Sequence, residues 1–136
     1  MVFTNGVFDL IHPGHIDVLV AAKAEGDVLI VGVNSDASAR RLSKGAGRPV
    51  CSAADRVYVV AALSPVDIVV EFNEDTPREL IAAIEPDVLV KGGDYDADTL
   101  PGAAEVRARG GRVVIVPLTP NQSTTAIVAR LASRND

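Results

Sequence analysis

Two histidines three residues apart, His12 and His15, are the only imidazoles among 136 residues, and a Pro-Gly pair separates them. They follow an apolar opening, residues 2–7, at the point where a first strand must turn into a first helix. Proline suits the first helical position, because the N–H it lacks would have no intrahelical partner there. Gly14, with no Cβ, lets the backbone come close to a ligand. Unpaired N–H groups of that first turn and the helix dipole together make an anion site. His12 and His15 flank it as further donors, which describes a device for holding a phosphate chain. Two other readings compete with this one. A lone histidine is more often structural than functional, but these two fall together at a turn, and a strand–turn–helix context is what would confirm their role. Zinc wants three or four Cys, His or carboxylate ligands, and the chain has one Cys and no third His, so no metal-ligating residue is assigned.

A second group of charges stands further along. Arg40, Arg41, Lys44 and Arg48 crowd into nine residues and form either a solvated helix face or a phosphate clamp. The net charge of −5 argues against general nucleic-acid binding, which leaves a basic surface stripe. Cys51 is the only cysteine, which excludes an internal disulfide framework and suits a reducing cytoplasm. No apolar run approaches the ~20 residues that span a bilayer, and the opening segment lacks the layout of a signal peptide. With 48% hydrophobic residues, the 136-residue chain is expected to form one domain around a substantial core.

The elements that must position these side chains alternate regularly. Strands are expected at residues 2–7, 28–34, 68–72, 88–91 and 112–117, the second a near-continuous apolar run of the kind covered on both faces. Helices are expected at about 14–25, 35–43, 52–63, from 76 to before Pro86, 101–109 and 124–133. Ser52-Ala-Ala-Asp55 resembles a capping box, and Thr76-Pro77-Arg78-Glu79 offers Thr as cap, Pro at the first position and Glu at the third. Gly110-Gly111 stops the fifth helix and Ser123 caps the sixth. Such alternation predicts an α/β, Rossmann-like doubly wound sheet of five parallel strands in the order 3-2-1-4-5. Ligands then bind where the strand order reverses, between strands one and four. Residues 5–15 and 91–95 lie there.

Taken together, Gly6-Val7-Phe8-Asp9, His12-x-Gly14-His15 and Ser123-Thr124-Thr125 resemble the nucleotidyltransferases of the cytidylyltransferase-like superfamily. Asn34-Ser35-Asp36-Ala37-Ser38, Gly47-Arg48-Pro49-Val50, Glu74-Asp75-Thr76-Pro77 and Leu89-Val90-Lys91-Gly92-Gly93-Asp94-Tyr95 resemble more narrowly the adenylyltransferase half of bacterial ADP-heptose synthases. The resemblance implies transfer of AMP from ATP to D-glycero-β-D-manno-heptose 1-phosphate, with Mg²⁺ assistance and release of pyrophosphate. It also implies a homodimer. Since 136 residues leave no room for the sugar kinase often fused to such enzymes, a separate kinase is expected.

A phosphate monoester, with its second pKa near ~6, is already largely ionised at neutral pH and needs no general base. Catalysis then becomes positioning plus neutralisation of charge. On the resemblance, His12, His15 and Lys44 carry the chemistry. The Thr4-Asn5-Gly6 backbone lies under the α-phosphate, and Ser123 and Thr124 hold the β- and γ-phosphates. Phe8, Gly14, Lys91, Gly92 and Thr125 complete the nucleotide site. Asp94 either faces nucleotide or substrate there or is an ordinary turn aspartate. Asp9, Lys44, Arg48 and Arg56 are expected on the sugar-phosphate side. A cytidylyltransferase for glycerol 3-phosphate or another small phosphate, and a non-catalytic nucleotide-binding subunit, are the alternatives.

Overall fold

The long apolar run after Asp27 can be dry on both sides only if helices cover it twice, and the chain supplies them. A computed structural model describes residues 1–42, 47–118, 120 and 123–134. In chain order the elements are β1 (Val2–Gly6), α1 (Pro13–Lys23), β2 (Leu29–Asn34), α2 (Asp36–Leu42), α3 (Ala53–Ala61) and β3 (Ile68–Phe72). They continue with α4 (Arg78–Ile84), β4 (Val88–Gly92), α5 (Ala103–Ala108), β5 (Arg112–Val116) and α6 (Thr124–Arg134). The strands form one parallel sheet in the order β3-β2-β1-β4-β5, as the alternation predicts.

Alternation along the strands sorts the core into two halves. Val2, Val31, Val33, Val88 and Val90 pack with Leu19 and Ala22 of α1 and Val60 of α3. Phe3, Ile30 and Leu89 pack on the other side, with Ile81 of α4 and with Ala103 and Val106 of α5. Leu19, Val60, Ile81 and Val106 are fully buried. Each contributes about 1.5–3 kcal/mol by leaving water.

Helix ends depart from the sequence expectation by local causes. α1 stops at Lys23 because Glu25 N–H bonds back to Ala22 O, tightening the last turn. Ser52 caps α3, its hydroxyl accepting Asp55 N–H at 3.2 Å. At α4 the expected Thr76 cap does not form. Pro77 occupies the cap position with no side-chain cap bond, and Arg78 is the first helical residue. Pro77 is buried and Thr76 exposed, so the proline ring sets the entry. α5 begins only at Ala103, since Gly102 takes a left-handed φ of 85° at its cap.

One irregularity of the sheet matters most. β1 pairs with β2 from Val2↔Leu29 to Gly6↔Val33, but its register with β4 ends at Phe3↔Leu89. β4 stays paired with β5 as far as Gly92↔Val116. The sheet therefore splits beyond Phe3, between the carboxyl ends of β1 and β4, which is where the strand order reverses.

Candidate active site

The split opens into a cavity of about 290 Å³ lined by the Thr4–Phe8 stretch, the histidine turn, Val18, Lys91, Gly92, Leu118 and Ser123. Gly92 is required here because a Cβ would come within 2.5 Å of Val18 Cγ2, where α1 crosses β4. Phe8 holds a left-handed φ of 53° while buried, a conformation that non-glycine residues adopt at a cost. Its ring lies 3.0 Å from where a Gly6 Cβ would stand and 5.4 Å from the His15 ring.

His12 is the N-cap of α1, with extended backbone and Pro13 directly after it. Its Nδ1 accepts Gly14 N–H at 3.1 Å, while His15 Nδ1 accepts His12 N–H at 3.2 Å. This is a capping box built from two imidazoles, in which each side chain satisfies a backbone donor of the other's turn. The expectation of unpaired first-turn N–H groups is corrected here. Gly14 N–H goes to the imidazole, and His15 N–H goes to His12 O at 3.0 Å. What the turn offers a ligand is Nε2–H instead. With each Nδ1 an acceptor, the neutral ring carries its hydrogen on Nε2. The rings stand 3.9 Å apart between centroids. Burial lowers the pKa of His12, and burial together with the His12 charge lowers that of His15 to about 4. Both are neutral donors at pH 7.

Lys91 crosses the split. Its Nζ donates to Asn5 O at 3.1 Å, on the side where β1 has lost its β4 partner, and lies 5.5 Å from the Tyr95 ring centre. Burial lowers its pKa, and among the described residues no carboxylate forms an ion pair with it. A partly desolvated ammonium without a counter-ion is a place for an anion. Lys91 and Asn5 also line a second cavity, of about 190 Å³, with Asp75, Thr76, Pro77, Tyr95, Leu100 and Pro101 on its walls. In the sequence Asp75 to Pro77 and Tyr95 stand only as parts of motifs, with Thr76 and Pro77 read as a helix start, and nothing there places them at a site. Their signal exists only in the fold, because β3 and β4 are not sheet neighbours.

The remaining expected residues divide. Ser123 lines the first cavity and caps α6, its Oγ accepting Ala126 N–H at 2.9 Å. Thr125 lies outside the cavity lining and accepts from Arg48 Nη1 at 3.3 Å. Asp94 is exposed and lines neither cavity. Lys44 lies outside the described residues, as does the Thr124 side chain. Asp9 and Arg56 were expected to meet the sugar phosphate, and this is corrected. Both Asp9 oxygens are taken by the N–H groups of Val50 and Cys51. Arg56 is 2% exposed and spends its donors on Val7 O, Asn34 O, Cys51 O and Asp36.

Comparison with known proteins bears on the same residues. The family model described as cytidylyltransferase-like matches residues 3–130. The chain belongs to the cytidylyltransferase-like family. It is a nucleotidyltransferase by that membership. Among curated members, it is 51% identical to a D-beta-D-heptose 1-phosphate adenylyltransferase from Bordetella bronchiseptica, over 96% of this chain and 81% of that protein. It is 58% identical to the bifunctional protein HldE of Acidiphilium cryptum over 96% of this chain, but spans only 27% of that protein's length. Among solved structures, the lipopolysaccharide core biosynthesis protein of Thermoplasma volcanium superposes with a TM-score of 0.70 at 29% identity, covering 87% of this chain and 94% of that one. No helix of the described residues is long and apolar enough to cross a membrane.

Proposed function

We propose that this family member transfers AMP from ATP to D-glycero-β-D-manno-heptose 1-phosphate, giving ADP-heptose and pyrophosphate. The observation that carries the reading is the pair of cavities sharing Asn5 and Lys91 as a common wall. The first, with the histidine turn and the Ser123 cap, suits a triphosphate. The second, with a carboxylate, a threonine and an exposed tyrosine ring, suits a sugar. Likeness to the heptose 1-phosphate adenylyltransferase supports the choice of both substrates.

The acceptor's phosphate oxygen attacks the α-phosphorus, and the bond from that phosphorus to the oxygen bridging to the β-phosphate breaks. Pyrophosphate leaves with the bonding electron pair. The nucleophile is already ionised, so the chain has no proton to remove. Its task is to bring two anions together. Lys91, at the shared wall, lowers the repulsion between them, and Nε2–H of His12 and His15 donate to oxygens that gain charge in transfer. Ser123 at the start of α6 receives the departing end.

Mg²⁺ is expected to arrive on ATP. Among the described residues no group of three or more His, Cys, Asp or Glu could hold a metal ion, and both Asp9 oxygens are engaged by backbone. These residues do not fit a resident metal site. The chain is proposed to act as a homodimer in the cytoplasm, its 136 residues forming one nucleotidyltransferase domain that takes a 1-phosphate supplied by a sugar kinase.

Pyrophosphate release from ATP and from CTP, across a panel of sugar 1-phosphates and glycerol 3-phosphate, tests the reading. ATP with the heptose 1-phosphate should be the best pair. CTP turning over glycerol 3-phosphate faster would replace it with the cytidylyl reading. ATP binding with no release from any pair would make the chain a nucleotide-binding subunit.

A further inference from the structure

Arg56 and Asp9 line neither cavity, yet Arg56 holds Val7 in the wall of the first one and both residues hold the loop before α3. From a position 2% exposed, Arg56 donates Nε to Cys51 O at 3.0 Å, Nη1 to Val7 O and Asn34 O at 2.8 Å each, and Nη2 to Asp36 Oδ1 at 2.9 Å. Asp9, 7% exposed, accepts Val50 N–H and Cys51 N–H, both at 2.8 Å. A planar five-donor fork can tie several carbonyls at fixed angles, which a lysine cannot do. If packing were the only need, an apolar side chain would fill this core position at lower desolvation cost. The segments tied are the stretch after β1, the end of β2, the start of α2 and the loop before α3. That loop also carries Arg48, whose Nη1 reaches Thr125 in the first turn of α6, two residues from Ser123. Hydrogen bonds at Val7, Cys51 and Thr125, joined by the chain from Arg48 to Cys51, therefore connect the approach to the histidine turn with the first turn of α6, the two walls of the triphosphate cavity.

We propose that Asp9 and Arg56 are positioning residues for adenylyl transfer, fastening residues 47–51 so that the two walls stand at working separation. The inference rests on the adenylyltransferase reading above. Asp9→Asn puts an amide N–H₂ against one of two backbone donors, and Arg56→Lys keeps the charge but cannot span four acceptors. Each should lower turnover per ATP-binding site about 10- to 100-fold, the scale of a displacement near 1 Å. The Michaelis constant for ATP should stay within about threefold. Because both residues hold one loop, the double variant should lose little beyond the worse single.

A merely structural role predicts otherwise. Fewer molecules would bind ATP and melting would fall, but turnover per ATP-binding site would stay within about threefold of the parent, which overturns the proposal. Fully multiplicative losses in the double variant overturn it too. A parent chain that releases no pyrophosphate from any pair would sink the transfer reading by itself. Amide exchange then decides the clamp: ATP should slow exchange at Val50 and Cys51 in the parent and fail to do so in Arg56→Lys. Equal slowing in both would end it.

Discussion

His12 does two jobs, and substitution can separate them. His12→Ala removes the cap acceptor of Gly14 N–H, worth about 1 kcal/mol, and the Nε2–H donor, worth about 10²–10³ in turnover. His12→Asn keeps an oxygen for the cap, so thermal melts should return nearly to the parent value while turnover recovers only in part. A His12→Ala enzyme within threefold of parent turnover would remove His12 from the mechanism. His15 has a pH signature. Its folded pKa, about 4, lies below the ordinary 6.5, so between these values the unfolded chain binds more protons than the folded one. Stability is then fully present above pH ~6.5 and declines as pH falls towards 4, by roughly 1–2 kcal/mol once solvent screening is discounted. Denaturant midpoints from pH 7 to 4 check this, and His15→Asn should flatten the curve. Lys91 predicts the opposite of a structural residue. Since no carboxylate among the described residues pairs with it, its replacement in Lys91→Met should leave melting unchanged or raised while pyrophosphate release falls at least about 10²-fold. A lower melting temperature would mean that the bond to Asn5 O outweighs desolvation.

Among the elements, the contact of α1 with β4 sets the cavity's width. Gly92→Ala drives a methyl group into Val18 and must push α1 outward or force an off-rotamer valine, at about 1–3 kcal/mol. The histidine turn rides on the start of α1, so activity should drop with stability. In Gly92→Ala/Val18→Ala both should recover together. Failure of the double variant to recover would show that Gly92 matters for ligand approach more than for packing. Where sequence signals at the elements were strong, they held. The almost wholly apolar β2 is buried at every position, and the Ser52 and Ser123 caps form. They failed at α4, where burial of Pro77 outweighed the capping hydroxyl of Thr76.

For the whole molecule, the proposed homodimer has an available surface. Tyr58 is 79% exposed and Val59 43% on α3, with Val50 at 58% just before it. The adjacent exposed side chains of Tyr58 and Val59 offer a second copy an apolar face to cover. Sedimentation at micromolar concentration should give a dimer, and Tyr58→Asp should shift it to monomer. A parent chain sedimenting only as monomer would sink the dimer while leaving the cavities intact, since every residue named at them comes from one chain.

The periodicity of apolar runs, the glycine and proline punctuation and the His-x-Gly-His spacing are local properties, so the sequence alone determined the alternation of strands and helices and the histidine turn, while the order 3-2-1-4-5 followed as an expectation of the doubly wound class. Three things needed tertiary structure. The end of β1–β4 pairing at Phe3 depends on how two strands 86 residues apart diverge, and no window of sequence contains both. The destinations of the Asp9 and Arg56 hydrogen bonds lie 41 to 49 positions away in the cases of Val50, Cys51 and Val7, which turned two expected substrate ligands into fastenings. The tautomer of the histidines followed from which nitrogen met a backbone donor. Residue type supplies charge and hydrogen-bonding capacity; only packing decides which of those groups are already satisfied within the chain and which remain for a ligand.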